Sequence, residues 1–227
     1  MTSTQRTQAA QPDASHLFIL SGQSNMQLLD PARSFTPAVE AAFGEDKVIV
    51  AHYAEGGEPI AKWYKGGKAY GVEKEEIGII YDTLMEKVKT VAGSKELSSV
   101  TLVWMQGERD SNSLVSNGDV YESYLKGLIQ QFKTDLKRED LNVVIGRIND
   151  FGTNHPRGLA KYRDWTKVRE AQVAVAESDP AYTWVDTDDL NFDGKENGIH
   201  MTKEGYDTLG KRFADSAIEL IRTHSST

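Results

Sequence analysis

Five short apolar runs, each separated from the next by an amphipathic segment, leave this chain few folds to choose from. The runs cover residues 17–20, 48–53, 100–105, 143–148 and 183–185. Several are apolar throughout and β-branched, the pattern of strands buried on both faces. Between them, residues 79–91 place Ile80, Leu84, Val88 and Val91 on one helical face. Residues 120–136 do the same with Tyr121, Tyr124, Leu125, Leu128, Ile129 and Phe132. Residues 37–43, 165–176 and 204–221 complete the helical set. Such alternation predicts an α/β fold, a parallel five-stranded sheet covered by helices on both faces. Right-handed crossovers then gather the carboxyl ends of the strands on one edge.

With 227 residues and no linker or internal repeat, the chain reads as a single domain over 16–227, preceded by a polar arm over 1–15 expected to be disordered. The arm lacks the apolar core of a secretory signal. No apolar run approaches the ~20 residues of a membrane span, so no membrane partner is expected. The net charge of −8 comes without any basic stripe, which argues against a nucleic-acid partner. The absence of cysteine removes disulfides, thiolate metal sites and a cysteine nucleophile together.

Three motifs fall at strand ends or in the last loop. The first is Gly22-Gln23-Ser24-Asn25-Met26, where a serine follows the first apolar run at a turn that Gly22 permits. A serine hydroxyl becomes a useful nucleophile only beside a base. It differs from the Gly-x-Ser-x-Gly elbow, because Met26 stands where the second glycine belongs. The second is Trp104-Met105-Gln106-Gly107-Glu108. The Gln106 amide can donate to an oxyanion, and Glu108 can orient a histidine. The third is Gly198-Ile199-His200, just before the last helix, where Thr202 can cap. His200 is the candidate base, since an imidazole takes and returns a proton near neutrality. His155 is its only rival. Between the first two motifs, the paired glycines Gly56-Gly57 free a backbone N–H to approach a ligand. Asp189 to Gly194 fits the first half of a calcium loop, but His200 stands where the bidentate glutamate belongs, and the segment reads as a polar turn.

Taken together, these blocks resemble the SGNH hydrolase superfamily, most closely its sialate O-acetylesterase-like branch, which includes acetylxylan esterases. The resemblance rests on Gly22 to Met26, Gly56-Gly57-Glu58-Pro59-Ile60 with Trp63, Trp104 to Glu108, Arg169-Glu170-Ala171-Gln172, and Asn197 to His200 followed by Thr202 and Gly205-Tyr206. It implies a flavodoxin-like three-layer αβα sandwich and an O-acetylesterase acting on acetylated carbohydrates, with no metal or cofactor. Ser24 would be the nucleophile and His200 the base. The backbone N–H groups of Ser24 and Gly57 (or Gly56), with the Gln106 amide, would form the oxyanion hole. One departure stands out: Asn197 occupies the position of the family's aspartate. Either Glu108 supplies the carboxylate, or Asn197 serves as a neutral orienter, or the site is inactive. The reading from another class is therefore a non-catalytic carbohydrate-binding domain on the same fold; an esterase for another acyl ester is the alternative within the enzymes. For substrate, Arg109 and Arg147 are candidates to meet a carboxylate. Trp63, Tyr64 and Trp165 are candidates to stack on a sugar ring.

Overall fold

The computed structural model describes residues 14–67, 72–195 and 198–224. All five expected strands form: β1 (Ser15–Gly22), β2 (Val48–Ala54), β3 (Leu97–Met105), β4 (Asn142–Gly146) and β5 (Tyr182–Val185). They pair in parallel in the order β2-β1-β3-β4-β5. β1 begins at Ser15, whose N–H donates to Glu96 O at 2.8 Å, so the strand claims the last residue of the expected arm. Residues 1–13 lie outside the described residues. β4 stops at Gly146 rather than at Ile148, because the Ile148 N–H leaves the ladder for the Gln172 side chain at 2.9 Å.

The helices are α1 (Ser24–Leu28), α2 (Phe35–Phe43), α3 (Ile79–Ala92), α4 (Gly118–Leu136), α5 (Phe151–Asn154), α6 (Pro156–Lys161), α7 (Trp165–Ala176) and α8 (Lys203–His224). α2 packs on α8 over one face of the sheet; α4 packs on α7 over the other. α3 joins the second layer, where the Tyr81 ring meets the edge of Phe132 on α4. The result is the expected three-layer αβα sandwich. Its middle is β1, β3 and β4, where Leu17, Ile19, Val103 and Val144 are fully buried. Each such side chain stabilises the fold by roughly 1.5–3 kcal/mol relative to exposure.

The strand order places the site. From β1 the chain moves to β2 on one side, and later to β3 on the other. The carboxyl ends of β1 and β3 therefore flank the crevice at the point where the order reverses, where open α/β sheets bind ligands. The short helices α1, α5 and α6 all lie at this edge and have too few residues to leave a periodic signature in the sequence.

Candidate active site

Ser24 reaches the crevice because β1 stays clamped as it ends. The Gln23 N–H donates to Met105 O at 2.9 Å, and the Glu55 N–H donates to Gly22 O at 3.1 Å. Gly22 is required here: its φ is +149°, and a Cβ would run into the Met105 carbonyl. Ser24 is the first residue of α1, so its N–H has no carbonyl to meet within the helix. The Gly56-Gly57 turn lies against it: Gly57 has φ +77°, and its N–H donates to none of the described residues. Two backbone donors thus remain available beside one hydroxyl.

His200 Nε2 lies 3.0 Å from Ser24 Oγ. A hydroxyl that donates to Nε2 requires the tautomer with its proton on Nδ1. Partial burial pulls the His200 pKa below its ordinary value of 6.5, so the ring is neutral at neutral pH. The segment carrying it is held by amides. Asn149 Nδ2 donates to Ile199 O at 3.1 Å, Asn25 Nδ2 to the same oxygen at 3.1 Å, and Asn191 Nδ2 to Gly198 O at 2.8 Å. Beyond His200, the Thr202 hydroxyl accepts from Gly205 N at 2.9 Å and starts α8, as expected.

Glu108 is buried beside the pocket, but the expected pairing with His200 is not formed. Its Oε1 accepts from Asn25 Nδ2 at 2.6 Å, and its buried Oε2 meets no donor. Burial pushes its pKa up to about 7. Asp110, also fully buried, is pushed up to about 6 by the same cause, although Asn117, Gln106 and the Ile60 N–H all donate to it. Asn197, the other candidate orienter, lies outside the described residues.

Gln106 departs from its expected place. It is fully buried beneath the pocket, with its Nε2 spent on Asp110 Oδ2 at 2.6 Å, Glu58 O at 3.1 Å and Gln23 Oε1 at 3.2 Å. Two N–H bonds already have more acceptors than they can serve, which leaves no donor for an oxyanion. The Gln172 amide fixes the same residue from α7, donating to Gln106 O at 2.7 Å. What lines the pocket instead is Gln23, which motif reasoning misses although it stands between Gly22 and Ser24.

The cavity holds about 310 Å³ and is bounded by Ser24, Gly57, Arg109, Tyr162 and His200, with Lys161 at its rim. The Arg109 guanidinium makes no ion pair among the described residues, and its buried Nε meets no acceptor. Arg147 is elsewhere, paired with Asp186 at 2.7 Å and Asp188 at 2.9 Å, so it is not free to meet a substrate. Trp63 is fully buried and donates to Ser21 Oγ at 3.0 Å, so it cannot stack on a sugar. Tyr64 packs on Tyr124, and Trp165 is buried with its indole donating to Asn149 O at 2.6 Å. Tyr162, not expected from the sequence, is the aromatic wall of the cavity. His155 stacks on Phe151 and caps α6 by accepting from Arg157 N, away from the cavity. Among the described residues, no group of three or more His, Asp and Glu side chains is placed to hold a metal ion. Asp189 of the polar turn pairs with Arg212 at 2.7 Å.

Residues 27–219 match the family model described as carbohydrate esterase, sialic acid-specific acetylesterase. No curated protein matches the chain in sequence. Among solved structures, a protein from Arabidopsis thaliana is similar with a TM-score of 0.67 at 19% identity, over 91% of this chain and 98% of that one. A carbohydrate acetylesterase from Xanthomonas citri is similar with a TM-score of 0.67 at 16% identity, over 92% of this chain but 57% of that one. An inhibitor-bound aryl esterase from M. smegmatis is similar with a TM-score of 0.55 at 14% identity, over 91% of this chain and 100% of that one. At these identities the likeness is one of fold.

Proposed function

The chain belongs to the carbohydrate esterase, sialic acid-specific acetylesterase family, and from that premise we propose that it removes acetyl groups from sugars by a Ser24–His200 mechanism through an acetyl-enzyme. The observation that carries this reading is the 3.0 Å approach of His200 Nε2 to Ser24 Oγ at the wall of an open cavity. His200 takes the Ser24 proton as Oγ bonds the acetyl carbon, and the carbonyl electron pair moves to oxygen. The Ser24 and Gly57 N–H groups stabilise that oxyanion. Its collapse breaks the bond to the sugar oxygen, which leaves with the proton from His200. Water, deprotonated by His200, then attacks the acetyl carbon, and Ser24 departs with the proton as acetate is released.

Arg109 supports a carboxylate-bearing sugar as substrate. It is a cation without an ion pair among the described residues, in the wall of the same cavity, in a chain of net charge −8. A guanidinium there can hold a carboxylate through two parallel hydrogen bonds. Acetate release from O-acetylated sialic acid, acetylated xylan and an aryl acetate, measured for wild type and Ser24→Ala, tests the reading. Release that disappears in Ser24→Ala supports it. No release from any substrate by folded wild type returns the carbohydrate-binding reading.

A further inference from the structure

We infer that Gln23, and not Gln106, supplies the side-chain donor of the oxyanion hole; this rests on the proposed role of Ser24 as nucleophile. The orientation of the Gln23 amide is fixed by its partners. Its Oε1 faces the Arg109 N–H at 3.1 Å, Gln106 Nε2 at 3.2 Å and the Gly107 N–H at 3.5 Å. Backbone N–H groups only donate, so the atom facing them is oxygen, and the usual ambiguity of an amide flip does not arise. The Nε2 must then point the other way. It donates to none of the described residues, and it is not among the buried atoms left without a partner. It opens into the cavity that Gln23 lines with Ser24, Gly57 and His200.

The two glutamines therefore form a relay of position. Asp110, Glu58 O and the Tyr121 hydroxyl hold Gln106. Gln106 and the β3 turn in turn hold Gln23 by its oxygen, with its nitrogen presented to the reacting carbonyl. A donor fixed from behind needs no reorganisation when negative charge develops in front of it, which is what makes such groups effective. Gln106 is a positioning residue; Gln23 touches the reacting oxygen.

Gln23→Glu and Gln23→Met together test the claim. Gln23→Glu keeps length and shape, keeps an oxygen towards the Arg109 and Gly107 N–H groups, and replaces the outward donor by an acceptor that adds a charge when ionised; Gln23→Met, uncharged, separates the missing donor from that charge. With an aryl acetate as probe, kcat is expected to fall by about 100-fold or more in both, with KM and melting temperature little changed. In Gln23→Glu the deficit narrows as the pH falls, since a neutral carboxyl regains a donor. Either variant, folded and with unchanged kcat, overturns the inference. Should Gln23→Glu not fold, Gln23→Met, similar in length and without a donor, gives the same two outcomes. Ser24→Ala runs in parallel. Hydrolysis that needs Ser24 and ignores Gln23 overturns this inference alone. Hydrolysis that does not need Ser24, or none by wild type, overturns the functional reading and this inference together.

Discussion

Asn25 Nδ2 lies 2.6 Å from Glu108 Oε1, and the same nitrogen reaches Ile199 O at 3.1 Å. One amide thus joins the Ser24 turn after β1, the end of β3 and the segment that carries His200. On its far side Asn25 Oδ1 accepts from the Tyr206 hydroxyl of α8 at 3.0 Å, so both the oxygen and the nitrogen of the amide are used. The three pieces of the site are registered against each other by this residue, and among the described residues no carboxylate bonds the histidine.

Removing that joint leaves the Glu108 carboxyl buried with no side-chain donor. Removing one partner of a buried hydrogen bond costs about 1–3 kcal/mol, the desolvation penalty of the group left behind. Asn25→Ala is expected to lower stability in urea unfolding by about that amount, and to lower kcat as the Ser24–His200 spacing relaxes. Wild-type stability in Asn25→Ala would show that the amide is not a structural joint.

Glu108 sets a pH-dependent term with a definite sign. Its folded pKa, about 7 against an ordinary 4.5, is raised by burial, so the native state holds a proton that the unfolded state gives up between those values. Its contribution to stability is complete below pH 4.5 and is lost as pH rises towards 7, by about 3 kcal/mol at most. Glu108→Gln, neutral at every pH, should gain melting temperature relative to wild type as pH rises from about 5 to about 8. A difference that stays flat with pH would show that Glu108 is not held protonated. Because Glu108 bonds Asn25 and not His200, Glu108→Gln should also retain most of the esterase rate.

On the proposed mechanism, His200 is expected to set the acid limb of the rate profile. Partial burial lowers its pKa, and only the neutral ring accepts the Ser24 proton, so kcat/KM should rise through a midpoint below 6.5. His200→Ala should lose nearly all activity without loss of fold. A midpoint above 6.5 would indicate a carboxylate facing the ring.

Arg109 is expected to separate substrates. Arg109→Ala should raise KM for a carboxylated acetyl sugar while leaving that for a neutral aryl acetate in place. Equal effects on both would mean that the guanidinium supports the cavity wall and not the substrate.

Much of the architecture is legible in the residues themselves. Apolar β-branched runs locate all five strands, because buried strands leave little room for polar residues. The amphipathic period locates the long helices within a few residues. The motifs also lie where the topology requires, at the carboxyl ends of β1 and β3. Hydrogen-bond direction is not legible in this way. Gln23 and Gln106 are the same residue type in adjacent motifs, and only their partners show that one is spent inward and the other faces the cavity. Trp63 and Arg147 mislead for a related reason: both types suit sugar or carboxylate binding, but one is buried against Ser21 and the other is neutralised by Asp186 and Asp188. Tyr162 escapes notice because α5 and α6, which carry the chain to it, are too short to show a period.

Whether Ser24 carries the acetyl group is decided by quenching the reaction with an aryl acetate at low pH and mapping the acetylated peptide by mass spectrometry. A Ser24–His200 mechanism requires an acetyl group on the peptide carrying Ser24, absent in Ser24→Ala along with acetate release. An acetyl group on another residue, or acetate release undiminished in Ser24→Ala, would rule that mechanism out.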